Sequence, residues 1–288
     1  MSAGALALLS ACDAFDYHPY DTNIHGRTNI NEDGIHSIEA LNLQPPFKFA
    51  FLTDTQGALD ETLQAIDIIR SRGDIDFMIH GGDQTDFGLP EEYMWCRDAM
   101  DGAGIPWVAV LGNHDCLGNG KDTFRHIYGP HNFSFNAGGV HFVILTTVAL
   151  EYDYAQPVPD FNFLEKDALA VARLNERTPG AVTHTVITMH SRPFDEQFNN
   201  NVAKPFMHYL LNYPGLGEND PVAPEGWKGV APGSRALAFC INGHNHGRES
   251  IDPFSNGVIF HQAANIEKRN FLIFTINPEG YECESVDF

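Results

Sequence analysis

Positive charge is scarce in this chain. Over 288 residues, 17 lysines and arginines stand against 38 aspartates and glutamates, a formal net charge of −21 with histidine neutral. That balance disfavours binding to long nucleic acids, which needs a basic footprint to displace counterions. Long apolar runs are missing too. Without a stretch of about 18 apolar residues the chain is not a multi-span helical membrane protein. No repeat or sustained heptad occurs, which removes collagen-like, mucin-like and coiled-coil architectures. What is present is apolar: 43% of residues are hydrophobic and 11% aromatic. Disorder is therefore excluded as the main state, and the length allows one or two domains with a substantial core.

Cysteine is sparse, with five in all. One ends a short apolar run, residues 3–11, which has the length of a signal-peptide core and is too short to span a bilayer. Leu9-Ser10-Ala11-Cys12 resembles a bacterial lipobox, in which the cysteine is acylated. The reading is a lipoprotein-type signal over 1–12 and a product lipid-anchored at the bacterial envelope, periplasmic or surface-exposed. Asp13 and Asp16 resemble surface-export signals of some Gram-negative lipoproteins. The basic segment of a signal peptide is absent, so the start of translation belongs upstream on this reading. The alternative is an apolar helix start with a chance cysteine. Cys96, Cys116, Cys240 and Cys283 allow three pairings, and the apolar run around Cys240 favours a buried thiol there.

Residues 13–46 are polar and end in Pro45-Pro46, reading as a tether plus a short packed extension. The domain then spans 47–288. Strands are predicted at Phe47–Thr53, Ile75–Ile79 and Pro106–Leu111, with helices between them, the β-α-β-α-β order of a parallel sheet. A hairpin follows around Gly138-Gly139, then a helix capped by Asp160. Further strands are predicted at Thr183–Met189, Leu237–Ile241, Val258–His261 and Phe271–Ile276, whereas residues 194–234 read as long loops. The expectation is one α/β domain with two sheets.

The informative residues follow the strands. The first is followed by Asp54-Thr55-Gln56, the second by Gly82-Asp83-Gln84-Thr85-Asp86, and the third leads into Gly112-Asn113-His114-Asp115. Later strands lead into His190 and Gly243-His244-Asn245-His246. In an open α/β sheet the carboxyl ends of strands share one crevice. Oxygen and imidazole donors gathered there suit divalent manganese, iron or zinc, and the absence of cysteine ligands argues against a structural zinc.

This set of motifs, in this order, resembles the calcineurin-like metallophosphoesterases over about residues 47–276. The resemblance implies a four-layer αββα sandwich of two mixed sheets flanked by helices. It implies two divalent ions, manganese or iron by preference with zinc as the alternative. The first would take Asp54, Gln56, Asp83 and His246, and the second Asp83, Asn113, His190 and His244. It further implies phosphate-ester hydrolysis by a metal-bridging hydroxide, with His114 as general acid oriented by Asp86 and with Asn113 also touching substrate. Gln56 stands where most members carry histidine. That form resembles a branch including manganese-dependent ADP-ribose/CDP-alcohol diphosphatases, and an amide oxygen shifts preference toward manganese or iron.

Other residues stay open between two roles. Arg192 is either a phosphate clamp or a solvated loop residue. Asp115 either supports the metal ligands or caps the turn after it. Tyr152, Tyr154 and the Phe194–Phe198 loop either stack a base or sugar or, by preference, pack on the core. His80 is expected behind the site, and His126, His131, His184 and His261 as surface or core residues. The expected partner is a small phosphorylated substrate, with the membrane touched only through a lipid anchor and no oligomeric state assigned. The competing readings are a nucleotide-sugar or nucleotide-alcohol diphosphatase, and a weakly catalytic envelope lipoprotein that binds phosphate or glycan.

Overall fold

The structure, a computed structural model, describes residues 23–152, 156–229 and 236–288. The expected signal with Cys12, residues 13–22 of the expected tether and extension, and Tyr154 lie outside the described residues. Among those described, no helix is long and apolar enough to cross a membrane.

One sheet is built from β1 (Phe47–Leu52), β2 (Phe77–His80), β3 (Trp107–Ala109), β10 (Asn270–Asn277) and β11 (Gly280–Asp287). Its order is β11-β10-β1-β2-β3, with β1, β2 and β3 mutually parallel. The second sheet takes β4 (Phe133–Ala137), β5 (Val140–Leu145), β6 (His184–Met189), β7 (Leu237–Asn242), β8 (Glu249–Ile251) and β9 (Ile259–Gln262) in the order β4-β5-β6-β7-β9-β8. Here β5, β6, β7 and β9 run parallel. Parallel strands need crossovers, and α2 (Leu59–Arg72) and α3 (Pro90–Asp101) supply them in the first sheet.

The sheets face each other through phenylalanines. Phe49 stacks on Phe77 at 5.2 Å and on Phe274 at 5.0 Å, and meets Phe142 of the other sheet edge-on at 5.3 Å. Offset and edge-on contacts of this kind add about 0.5–1.5 kcal/mol each beyond their area burial. On the outer face of the first sheet, α2, α3 and α4 (Gly120–Ile127) bury Ile66, Tyr93 and Phe124. On the outer face of the second, α5 (Phe161–Arg177) and α6 (Ala203–Leu211) bury Leu164, Phe206 and Leu210. The result is the four-layer helix–sheet–sheet–helix sandwich expected. Asp160 caps α5, its carboxylate accepting from the Phe163 N–H at 3.1 Å.

Three helices differ from the loop readings. α1 (Ile30–Ala40), within the predicted extension, covers β3, the exposed edge of the first sheet. Asn31 Nδ2 donates to the Ala109 carbonyl at 3.2 Å and its Oδ1 accepts from the Ala109 N–H at 2.7 Å. The helix thus satisfies an edge that would otherwise pair with another chain. The α6 helix falls in the stretch read as long loops, and α4 falls where the sequence predicts no element. Their apolar residues Phe124, Ile127, Phe206 and Leu210 lie three or four apart, but only over two turns, too short for a clear period. Cys96, Cys116 and Cys240 are buried free thiols, and Cys283 is free and exposed.

Candidate metal centre

The carboxyl ends of β1, β2, β3, β6 and β7 open on one crevice, and backbone bonds knit their loops together. The Asp54 N–H donates to Gly82 O at 3.0 Å, Thr55 N–H to Asp83 O at 2.9 Å, and Gln56 N–H to the same Asp83 carbonyl at 3.2 Å. Within the second sheet Gly243 N–H donates to His190 O at 3.0 Å, and across the sheets His244 N–H donates to Asp54 Oδ2 at 3.1 Å. Two glycines allow this closeness. A Cβ on Gly112 would stand 2.1 Å from Asp83 Oδ1, and one on Gly243 would stand 2.5 Å from Asp54 Oδ2.

The side chains converge. Asp83, His190 and His244 each offer a ligand atom within 4.8 Å of the other two. His190 Nε2 lies 3.2 Å from Asp83 Oδ2 and 3.1 Å from Asn113 Oδ1, and its Nδ1 donates to Gly81 O at 2.9 Å. His246 Nε2 lies 3.4 Å from Asp54 Oδ1. Asp83 Oδ1 accepts from the His114 N–H at 2.9 Å, turning Oδ2 to the crevice. Among the described residues, three atoms of the expected ligands are buried with no hydrogen-bond partner, Asp54 Oδ1, Gln56 Oε1 and His244 Nδ1, the approach of His246 Nε2 to Asp54 Oδ1 being an ion-pair contact. Orphaned buried acceptors are costly, and these three belong to the expected ligand set. The donor set thus fits divalent cations.

Electrostatics agree with that chemistry. Burial opposes charge on His190, yet Asp83, Asp54 and the Gly81 carbonyl raise its imidazole to about 10. Burial alone would raise the Asp54 carboxyl, but His246, His190 and Thr53 outweigh it and hold it below its usual value. Burial, aided by His190, lowers His244. The buried carboxylates of the crevice call for positive charge.

A family model, calcineurin-like phosphoesterase, matches residues 47–248, well over half of the chain. The chain belongs to the calcineurin-like phosphoesterases. It is a metal-dependent phosphoester hydrolase, and the family points to two divalent ions. No curated protein matches it. Among solved structures, a dimetal phosphatase from Danio rerio aligns with TM-score 0.63 at 11% identity, over 85% of this chain and 98% of that one. The purple acid phosphatase PPD1 from yellow lupin (Lupinus luteus) seeds aligns with TM-score 0.60 at 12% identity, over 85% of this chain and 52% of that one. GAP50, the anchor in the inner membrane complex of Plasmodium, aligns with TM-score 0.55 at 12% identity, over 84% of each chain. At such identities the likeness is one of fold.

Two expectations about this phosphoesterase need correction. Asp86 meets His114 through its backbone, not its carboxylate: His114 Nδ1 lies 3.0 Å from the Asp86 carbonyl. Arg192 is neither solvated nor a free clamp. It is 9% exposed, its Nε donates to Asp195 Oδ1 at 3.3 Å, and its Nη2 is paired with Glu249. Two carboxylates already engage Nε and Nη2 of the guanidinium, while its Nη1 is buried with no hydrogen-bond partner among the described residues.

Asp115 resolves toward support. Its Oδ1 accepts from the Gln84 and Thr85 N–H groups at 2.9 and 3.1 Å, and its Oδ2 from the Gly112 N–H at 2.9 Å. It therefore staples the second ligand loop to the third, while burial and then Asp83 push its carboxyl up to about 7. His80 packs behind the site, accepting from the Gly82 N–H at 3.2 Å and bonded to Thr55 Oγ1 at 2.9 Å, and burial lowers it to about 3. Tyr152 is buried against His131, Phe198 is buried, and Phe194 is exposed. Thr53, which donates to Asp54 Oδ2 at 2.7 Å, carried no signal in the sequence because threonine is ordinary in a strand.

Proposed function

We propose that Asp54, Gln56, Asp83 and His246 hold one divalent cation, that Asp83, Asn113, His190 and His244 hold a second, and that the pair hydrolyses a small phosphate ester. The observation that carries this reading is the trio of orphaned buried atoms, Asp54 Oδ1, Gln56 Oε1 and His244 Nδ1. When bound, two such cations polarise a phosphoryl oxygen and supply a nucleophile at neutral pH. Their charge also reverses the local sign, so phosphate is attracted into a crevice of an acidic chain. The amide oxygen of Gln56 favours manganese or iron over zinc at its site.

The chain supplies orientation and a proton. The bond from His190 Nδ1 to Gly81 O fixes that imidazole and points Nε2 at the crevice, where a bound cation would take the place of its proton. His114 is anchored twice, by its N–H on Asp83 and by its ring on Asp86 O. A carbonyl only accepts, so Nδ1 carries a hydrogen, and Nε2 is the atom that holds the proton for the departing alkoxide. Asn113 Oδ1, beside His190 Nε2, faces the same space.

The test is release of p-nitrophenol from p-nitrophenyl phosphate and bis-p-nitrophenyl phosphate with added Mn²⁺. Hydrolysis of either ester that chelator abolishes and Mn²⁺ restores is the expected result. Two metal equivalents bound without turnover of either ester, or of a nucleotide and sugar-phosphate panel, would favour a ligand-binding role. We further propose that Cys12 is the site of lipid attachment. The lipobox-like sequence supports this, and detergent-phase partitioning that a Cys12→Ser variant loses would test it.

A further inference from the structure

The His244 ring takes no hydrogen bond from the protein among the described residues, and its Nδ1 is buried without a partner. Something other than a ring bond must set its position. The backbone of its loop does so, with His244 and His246 both left-handed at φ 74 and 55. Between them stands Asn245, whose exposed side chain donates through Nδ2 to Asp195 Oδ1 at 2.7 Å. Asp195 is 7% exposed and lies on the loop that leaves His190. The same carboxylate accepts from the Arg192 N–H at 3.1 Å and from Arg192 Nε. Its neighbour Phe194 has φ 77, a costly conformation for an aromatic residue, held because its N–H donates to Asn200 Oδ1 at 2.6 Å. Asn200 Nδ2 in turn donates to Asp195 O at 2.8 Å.

We infer that Asp195 and Asn245 are positioning residues, a bracket that sets the spacing of His190 from His244 and His246 and thereby the affinity of the centre for its cations. The inference rests on the dinuclear reading and adds residues that bind no cation and touch no substrate. Partners of metal ligands are commonly worth about 10- to 100-fold in metal affinity.

The experiment titrates chelator-treated full-length protein with Mn²⁺ and reads free ion by electron paramagnetic resonance, without substrate. Asn245→Ala is expected to weaken one of two Mn²⁺ affinities by about 10- to 100-fold, with melting temperature unchanged because the side chain is exposed. Asn245→Asp discriminates further. By charge alone a new carboxylate beside the centre tightens Mn²⁺; by the bracket it repels Asp195 and weakens it. Unchanged affinity in Asn245→Ala, or tighter binding in Asn245→Asp, overturns the inference. Failure of the wild-type chain to take two Mn²⁺ overturns the reading of the centre, and the bracket with it.

Discussion

Gly112→Ala tests the geometry of the centre with one methyl group. The backbone at Gly112 is not left-handed, so alanine meets no conformational objection there. The objection is space. The new Cβ would stand 2.1 Å from Asp83 Oδ1 and 2.2 Å from Asp83 N, with backbone on one side and a ligand carboxylate on the other. Ordinary contact needs more than an ångström beyond that, so the second and third ligand loops must separate by about 1 Å. A displacement of that size costs about 100-fold in catalysis, and overpacking costs about 1–3 kcal/mol in stability. The assay is kcat/KM on p-nitrophenyl phosphate at saturating Mn²⁺, alongside urea unfolding. Gly280→Ala is the control, since nothing lies within 4 Å of its Cβ and its φ is not left-handed. A folded Gly112→Ala protein with wild-type kcat/KM would show that Asp83 can move without consequence, and its role as shared ligand would fall.

His114→Ala is expected to keep both Mn²⁺ equivalents and lose about 10²- to 10⁴-fold on an alkyl phosphate, with a smaller loss on p-nitrophenyl esters, whose leaving group needs no proton; equal losses on both would refute the acid role. His184 is 2% exposed and burial lowers it from 6.5 to about 4. The unfolded chain therefore takes up a proton that the folded one refuses, and stability falls as pH drops from 6.5 toward 4, by about 2 kcal/mol between pH 7.5 and 5. His184→Phe should flatten that part of the urea-measured pH dependence, and an unchanged slope would count against it. Asp167 is half-buried, which by itself would raise its carboxyl, but His141, Ser134 and Tyr213 hold it below its usual value. Its contribution is present above pH 4 and lost as pH falls through the lowered folded value. Asp167→Asn should cost about 1–2 kcal/mol at pH 7 and progressively less in acid, again by urea unfolding.

What could be read from the sequence was whatever is local and periodic. The alternation over 47–53 and the glycine after Arg72 mark β1 and the end of α2, and the donors of the centre stand out because each follows an apolar run. What could not be read is held by distant contacts. The α1 helix owes its place to Asn31 meeting Ala109, a pairing with no period to betray it. Edge strand β11 carries mostly exposed residues, so its hydrophobic pattern is blank although every residue pairs with β10. The role of Arg192 depended on Asp195 and on Glu249, 57 residues away, and a lone arginine after a histidine cannot announce which carboxylates will claim it. Asp86 was assigned through its carboxylate because sequence displays side chains, while the atom facing His114 is a carbonyl that any residue would supply.

The centre is also where this fold accepts strain. Asp54, Asp83, His244 and His246 have φ of 54, 54, 74 and 55, all left-handed and none glycine. Each costs about 1–2 kcal/mol, a sizeable part of a net stability of about 5–15 kcal/mol. An extended backbone would relieve it, but successive side chains of a strand point to opposite faces, so the donors would leave the crevice. Glycine would relieve it as well and would delete the donor. Between those alternatives the left-handed turn is the local solution used at these four positions, whereas Asn113, at φ −78, reaches the crevice from a right-handed turn. The left-handed turn persists because the strained residues are tied to other ligand loops: Asp54 through Gly82 and His244, Asp83 through Thr55 and His114, and His246 through its ring beside Asp54 Oδ1. The strain and the bonds that hold it are therefore one device, and loosening any single loop releases its neighbours toward geometries in which the donors no longer converge.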